Sequence, residues 1–124
     1  MNNINIKKTD NSPNVILDYT NGLIELEGKS YPENTFDFYE PFIDWLKEYF
    51  DGNAKDITTI NIKLTYFNSA TTQILFDILD IIEEGDKKEL IFNWYYDSNN
   101  TDGLEDYEDF SNEFEALNIQ AIAY

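Results

Sequence analysis

The chain has 124 residues, with 25 Asp or Glu against eight Lys, no Arg, His or Cys, and a formal charge of −17. Disulfides, thiolate chemistry, nucleophile–His pairs and the usual zinc ligands are therefore excluded, and so long a negative balance repels nucleic-acid backbones and anionic membranes. With 42% hydrophobic and 16% aromatic residues, the composition supports one packed core of ordinary domain size.

The polar stretch Met1–Asp10 has no apolar signal-peptide core, and no apolar run approaches the roughly 20 residues that cross a bilayer. The expectation is a soluble cytoplasmic protein forming one domain over residues 1–124, without cofactor or metal. Along the chain, Ile4–Ile6 reads as a short edge strand and Ser12–Pro13 as a bend. Asn14–Asp18 and Leu23–Glu27 read as a hairpin around the turn signal Asn21–Gly22. Asn34 is placed to cap a first helix carrying Phe38, Phe42, Trp45, Leu46 and Tyr49 on one face. Pro41 is expected to kink that helix or to split off its first turn. Gly52 ends it.

Thr58–Phe67 carries the clearest period of two, with Ile60, Ile62, Leu64 and Tyr66 on one side and Thr59, Asn61, Lys63 and Thr65 on the other. A second helix runs from the Ser69–Thr72 segment to about Glu84, a strand covers Glu89–Tyr96, and Asp97–Asp102 is a polar loop. Leu104–Leu117 reads as an acidic amphipathic helix and Ile119–Tyr124 as a last strand. Strands alternating with helices predict an α/β fold: a mixed, mostly parallel sheet with an N-terminal hairpin, right-handed crossovers and about three helices.

The segment Tyr66–Gln73 is the most informative junction. Functional groups collect at the carboxyl ends of strands in open α/β sheets, and a helix N-terminus offers unpaired N–H groups and positive potential to an anion. Asn68 or Ser69 caps the helix in the plainer reading; in the other, a hydroxyl here accepts a phosphate, which adds about −1.5 to −2 charge. No Gly-rich cradle or P-loop lysine accompanies the segment, which argues against nucleotide binding there.

Several strings extend the second reading: Thr9–Pro13 with the strand after it, Gly28–Asn34 (Gly-Lys-Ser-Tyr-Pro-Glu-Asn), Asp44–Trp45, Tyr66–Thr71, Asp77–Leu79, Trp94–Asp97 and Glu108–Phe110. On these residues the chain resembles, over nearly its whole length, the SiaC family of bacterial regulatory phosphoproteins, which are STAS-like and similar in fold to anti-sigma-factor antagonists. The resemblance implies a non-enzymatic partner switch. A Ser/Thr protein kinase of the histidine-kinase-like ATPase type adds the phosphate, a PP2C-type phosphatase removes it, and the unphosphorylated form of well-known relatives activates a diguanylate cyclase. The family's acceptor is commonly Thr followed by Ser. The matching position here is Ser69, followed by Ala70, with Thr71 as a second candidate. Tyr31, Tyr66, Phe67, Asn68, Ala70, Thr72 and Gln73 are the expected partner-facing residues.

Other readings compete. A constitutive interaction scaffold needs the junction only as a cap. Asp97–Glu108 approximates a calcium loop, but the glycine required at its sixth position falls one residue late, at Gly103. Glu105, Asp106, Glu108, Asp109, Glu113 and Glu115 suggest catalytic carboxylates only if a pocket draws two together with separated pKa values. The aromatic stripe of the first helix has the spacing of a core face.

Overall fold

A computed structural model describes residues 1–124. In chain order the elements are β1 (Ile4–Ile6), β2 (Asn14–Asp18), β3 (Leu23–Ser30), α1 (Thr35–Tyr49), β4 (Ile57–Phe67), α2 (Ser69–Glu84), β5 (Glu89–Tyr96), α3 (Thr101–Glu113), a 3₁₀ turn (Glu115–Leu117) and β6 (Gln120–Ala123). The six strands form one sheet in the order β1-β2-β3-β4-β5-β6. The pairs β1–β2 and β2–β3 are antiparallel; β3–β4, β4–β5 and β5–β6 are parallel. No helix is long and apolar enough to cross a membrane.

Strand order and crossover hand together decide where the helices lie. Each parallel connection joins adjacent strands and advances in one direction, so right-handed crossovers put all three helices on the same face. The buried strand residues form rows across that face, Leu17–Ile24–Ile60–Phe92 and Val15–Leu26–Ile62–Trp94, in register. They join Tyr39, Phe42, Trp45, Leu46 and Tyr49 of α1, six residues of α2 and α3, and Phe114, Leu117 and Ile119 in a single core. The opposite face has no covering layer. It carries a polar row in which Asn93 Nδ2 donates to Asn61 Oδ1 (2.9 Å) and Asn61 Nδ2 to Glu25 Oε2 (3.2 Å).

Four local features differ from the sequence expectation. First, α1 runs unbroken through Pro41. Pro41 and Asp37, whose carbonyl loses its usual partner, both lie on the exposed side, where water replaces the missing N–H. Second, Tyr39 rather than Phe38 is the fully buried aromatic at the start of α1, and Phe38 packs at its margin. Third, α3 begins at Thr101, because the Asn100 side chain accepts from the Asp102 N–H (3.0 Å) and caps it there. The helix ends at Glu113 rather than continuing to Leu117.

Fourth, the alternation of β4 breaks at its end. The β3–β4 register shifts between Gly28 and Lys29, so Gly28 pairs with Leu64 but Lys29 with Tyr66, leaving Thr65 without a partner. The extra residue reverses which side follows. Tyr66 is turned out and is 54% exposed. Phe67 is turned in and meets the buried Trp94 edge to face, with ring centroids 6.4 Å apart. Gly28 has φ +116, a conformation that side chains rarely adopt, and so permits the irregularity on the β3 side.

Candidate functional site

The carboxyl ends of β3 and β4 lie side by side, with Ser30 opposite Phe67. From there the Asn68 N–H donates to Ser30 O (3.1 Å), and α2 starts. Asn68 has the extended backbone of an N-cap, and its Oδ1 accepts from the Thr71 N–H at 2.9 Å. Of the two caps the sequence allowed, the structure uses Asn68.

The hydroxyls that follow have separate fates. Thr71 is fully buried. Its Oγ1 donates to Ser30 O (3.0 Å) and lies 2.9 Å from Ser30 Oγ. Ser30 Oγ in turn lies 2.7 Å from the Tyr39 hydroxyl of α1. One arrangement uses every hydrogen once: Tyr39 donates to Ser30, Ser30 to Thr71, and Thr71 to the Ser30 carbonyl. Burial pushes the Tyr39 phenol up to about 12 against the lowering effect of the Ser30 bond, so it remains a neutral donor at physiological pH. Thr72 Oγ1 donates to Asn68 O (3.2 Å) and is half-buried. Ser69 alone is exposed and makes no side-chain hydrogen bond.

The second candidate hydroxyl, Thr71, is thus sealed beneath the junction and holds three elements together. Ser69 is in the open on the first turn of α2. Among the expected partner-facing residues, Tyr31, Tyr66, Ala70 and Gln73 are exposed, while Phe67, Asn68 and Thr72 are half-buried. Tyr31 and Tyr66 meet edge to face at 5.6 Å, and the Tyr31 hydroxyl donates to Asp10 O (3.0 Å). These two contacts hold the exposed rings in place. The Ser30–Tyr39 pair is the feature the sequence did not reveal. Ser30 falls in a string noted for resemblance, but nothing local marks a serine as fully buried.

The competing sites do not assemble. Residues 101–113 are helical, so Asp97–Glu108 does not wrap a cation in a twelve-residue loop. No group of three or more acidic side chains is arranged to hold a metal ion. Asp106 has a raised pKa, first through partial burial and then through the neighbouring Asp109, Asp102 and Glu105. It lines a cleft with Asp97, Asp102 and Glu105, a crowd of like charges with no contrasting acid and base pair.

Comparison with known proteins agrees with this geometry. The family model described as SiaC family regulatory phosphoprotein matches residues 6–124. An uncharacterized protein of Pseudomonas aeruginosa is 28% identical over 112 residues, covering 89% of this chain and 88% of the relative. Among solved structures, the chain superposes with TM-score 0.87 and 26% identity on a chain of the diguanylate cyclase SiaD in complex with its activator SiaC from Pseudomonas aeruginosa, covering 98% of this chain and 99% of that one. SiaC of Pseudomonas aeruginosa aligns over 100% of both chains with TM-score 0.79 and 25% identity. An acidic α/β domain with one free hydroxyl at its strand–helix junction, matched over nearly its full length by that family, belongs to the SiaC family of regulatory phosphoproteins.

Proposed function

We propose that this protein is a non-enzymatic partner switch, set by reversible phosphorylation of Ser69, whose unphosphorylated form binds and activates a diguanylate cyclase. The observation that carries the reading is the division of labour at the junction. Asn68 caps α2, Thr71 is locked in the buried network and Thr72 bonds back to Asn68, so Ser69 is the exposed hydroxyl without a side-chain hydrogen bond. The cyclase is supported by similarity to the activator in the SiaD complex. A Ser/Thr kinase and a PP2C-type phosphatase complete the cycle on the strength of family membership.

The chemistry is local. A phosphate on Ser69 sits at the first residue of α2, where the leading N–H groups have no helical acceptor and the dipole is positive. The free protein therefore accommodates the dianion without unfolding. An interface packed over Tyr31, Tyr66 and Ala70 does not: burying the phosphate removes its water and brings it against any acidic partner group. A tenfold loss of affinity corresponds to about 1.4 kcal/mol, less than the desolvation of one unpaired ion costs.

Intact-mass measurement after incubation with the cognate kinase and ATP tests the acceptor. The expected result is one phosphate on the wild type and on Thr71→Val, and none on Ser69→Ala. Full phosphorylation of Ser69→Ala would remove this residue from the mechanism and leave the scaffold reading.

A further inference from the structure

The open face of the sheet holds a cavity of about 590 Å³ between the end of β3, the end of β4 and β5. Three of the eight lysines line it, Lys8, Lys29 and Lys63, against only two of the 25 acidic residues, Asp10 and Glu27. With Glu25 beside Lys63 the charges here balance, which in a chain of charge −17 is a local enrichment of cations.

Of the five lysines elsewhere on the molecule, Lys7 and Lys47 make no side-chain hydrogen bond or ion pair and three are engaged. Lys88 donates to Asp56 Oδ1 at 2.8 Å, Lys87 donates to the carbonyls of Glu83 and Gly85, and Lys55 lies over the Tyr19 ring. The three cavity lysines make no hydrogen bond. Lys8 is ion-paired with Glu27 and Lys63 with Glu25, each at 3.7 Å and without a hydrogen bond, while Lys29 has no carboxylate partner. Lys63 is nevertheless held in place, between Glu25 and the Tyr95 ring, whose centroid is 4.8 Å from its ammonium. Glu25 is itself fixed by the Asn61–Asn93 row. The cavity lies at the bulge: the register slips at Gly28/Lys29, where Lys29 and Thr65 line it, and bulges recur next to active sites.

We propose that this cavity binds a small phosphate-bearing molecule of nucleotide size, with Lys8, Lys29 and Lys63 on the phosphate and the Tyr95 side of the cavity against its organic part. The volume lies in the ordinary range for small-molecule sites, roughly 300–1,000 Å³. Ammonium groups bind phosphate as point charges without requiring the bidentate geometry of arginine. The global charge disfavours a long polyanion, whose remaining phosphates would meet the acidic surface, whereas a single phosphate group meets the unpaired Lys29 and competes with Glu27 and Glu25 for Lys8 and Lys63. The site is separate from Ser69 and stands or falls independently of the phosphorylation cycle.

The test is an amide-resolved NMR titration of the full chain with inorganic phosphate and with AMP, at ionic strength held constant with sodium chloride. The expected result is saturable shifts at Gly28, Lys29, Lys63 and Tyr95. Tighter binding of AMP than of inorganic phosphate is expected, and equal binding would overturn a ligand of nucleotide size, since the organic part would then find no contact. The double substitution Lys29→Ala/Lys63→Ala should weaken binding at least tenfold. If that variant does not fold, Lys29→Ala, an exposed residue without a partner, should weaken it at least threefold. Shifts that do not saturate, that spread equally to Lys55, Lys87 and Lys88, or that survive these substitutions unchanged would overturn the proposal.

Discussion

Replacing Trp94 by alanine is expected to destabilise the protein by about 3–5 kcal/mol, the range for removing a large buried aromatic. Trp94 is 2% exposed and lies in the row with Leu26 and Ile62. Its indole stacks on Phe110 of α3, with centroids 5.0 Å apart, and receives the edge of Phe67 from the turned-in end of β4. One side chain therefore joins α3 to the floor of the junction. A domain of this size has about 5–15 kcal/mol of stability in all, so this one substitution removes a large share of it. Urea unfolding measures the effect, with Trp45 left as the only indole reporter. A shifted midpoint at constant slope is the expected form. A cost below about 1 kcal/mol would mean that the void closes and that Trp94 does not support Phe67.

The buried hydroxyl network makes a second prediction, in which two substitutions together do less harm than one. Ser30→Ala removes the sole partner of the Tyr39 hydroxyl, while Thr71 keeps the Ser30 carbonyl. A buried donor left unpaired costs about 1–3 kcal/mol. Adding Tyr39→Phe removes that orphaned group and should recover about half of the loss, so the double variant is more stable than Ser30→Ala alone. A double-mutant cycle by thermal or urea unfolding provides the number. Strictly additive losses would show that Tyr39 and Ser30 are not coupled as their 2.7 Å separation requires. The network bears on the proposed switch because it ties α1, β3 and the first turn of α2 together beneath Ser69. A partner then meets a surface whose backbone is already in place.

The architecture was legible in the sequence because its signals are local and repeated. Three strand–helix units, each with a period of two followed by one near 3.6, suffice for a parallel sheet with crossovers, and Asn34, Asn68 and Gly85 mark helix ends where such residues are expected. The junction was legible for the same reason, since a cap residue followed by hydroxyls is a short-range pattern. What the sequence hid depends on contacts between distant segments. The β4 bulge leaves the alternation of Leu64 and Tyr66 intact on paper while turning Tyr66 out. Phe38 and Tyr39 are neighbours of similar size on one helix, and it is Tyr39 that shares the buried face with Phe42, Leu46 and Tyr49 and meets Ser30 at 2.7 Å. Thr71, on the buried face of α2, bonds to the same distant serine. The three cavity lysines come from separate parts of the chain, so no charge run announces them.

Affinity for the diguanylate cyclase, measured by calorimetric titration of the protein with phosphoserine installed at position 69 and of the unmodified protein, tests the switch most directly when the melting temperature of each is recorded beside it. The account predicts at least tenfold weaker binding of the phosphoprotein, with melting unchanged or raised by a few degrees through the favourable charge at the start of α2. Equal affinities, or a loss of affinity accompanied by a collapse in melting temperature, would contradict it.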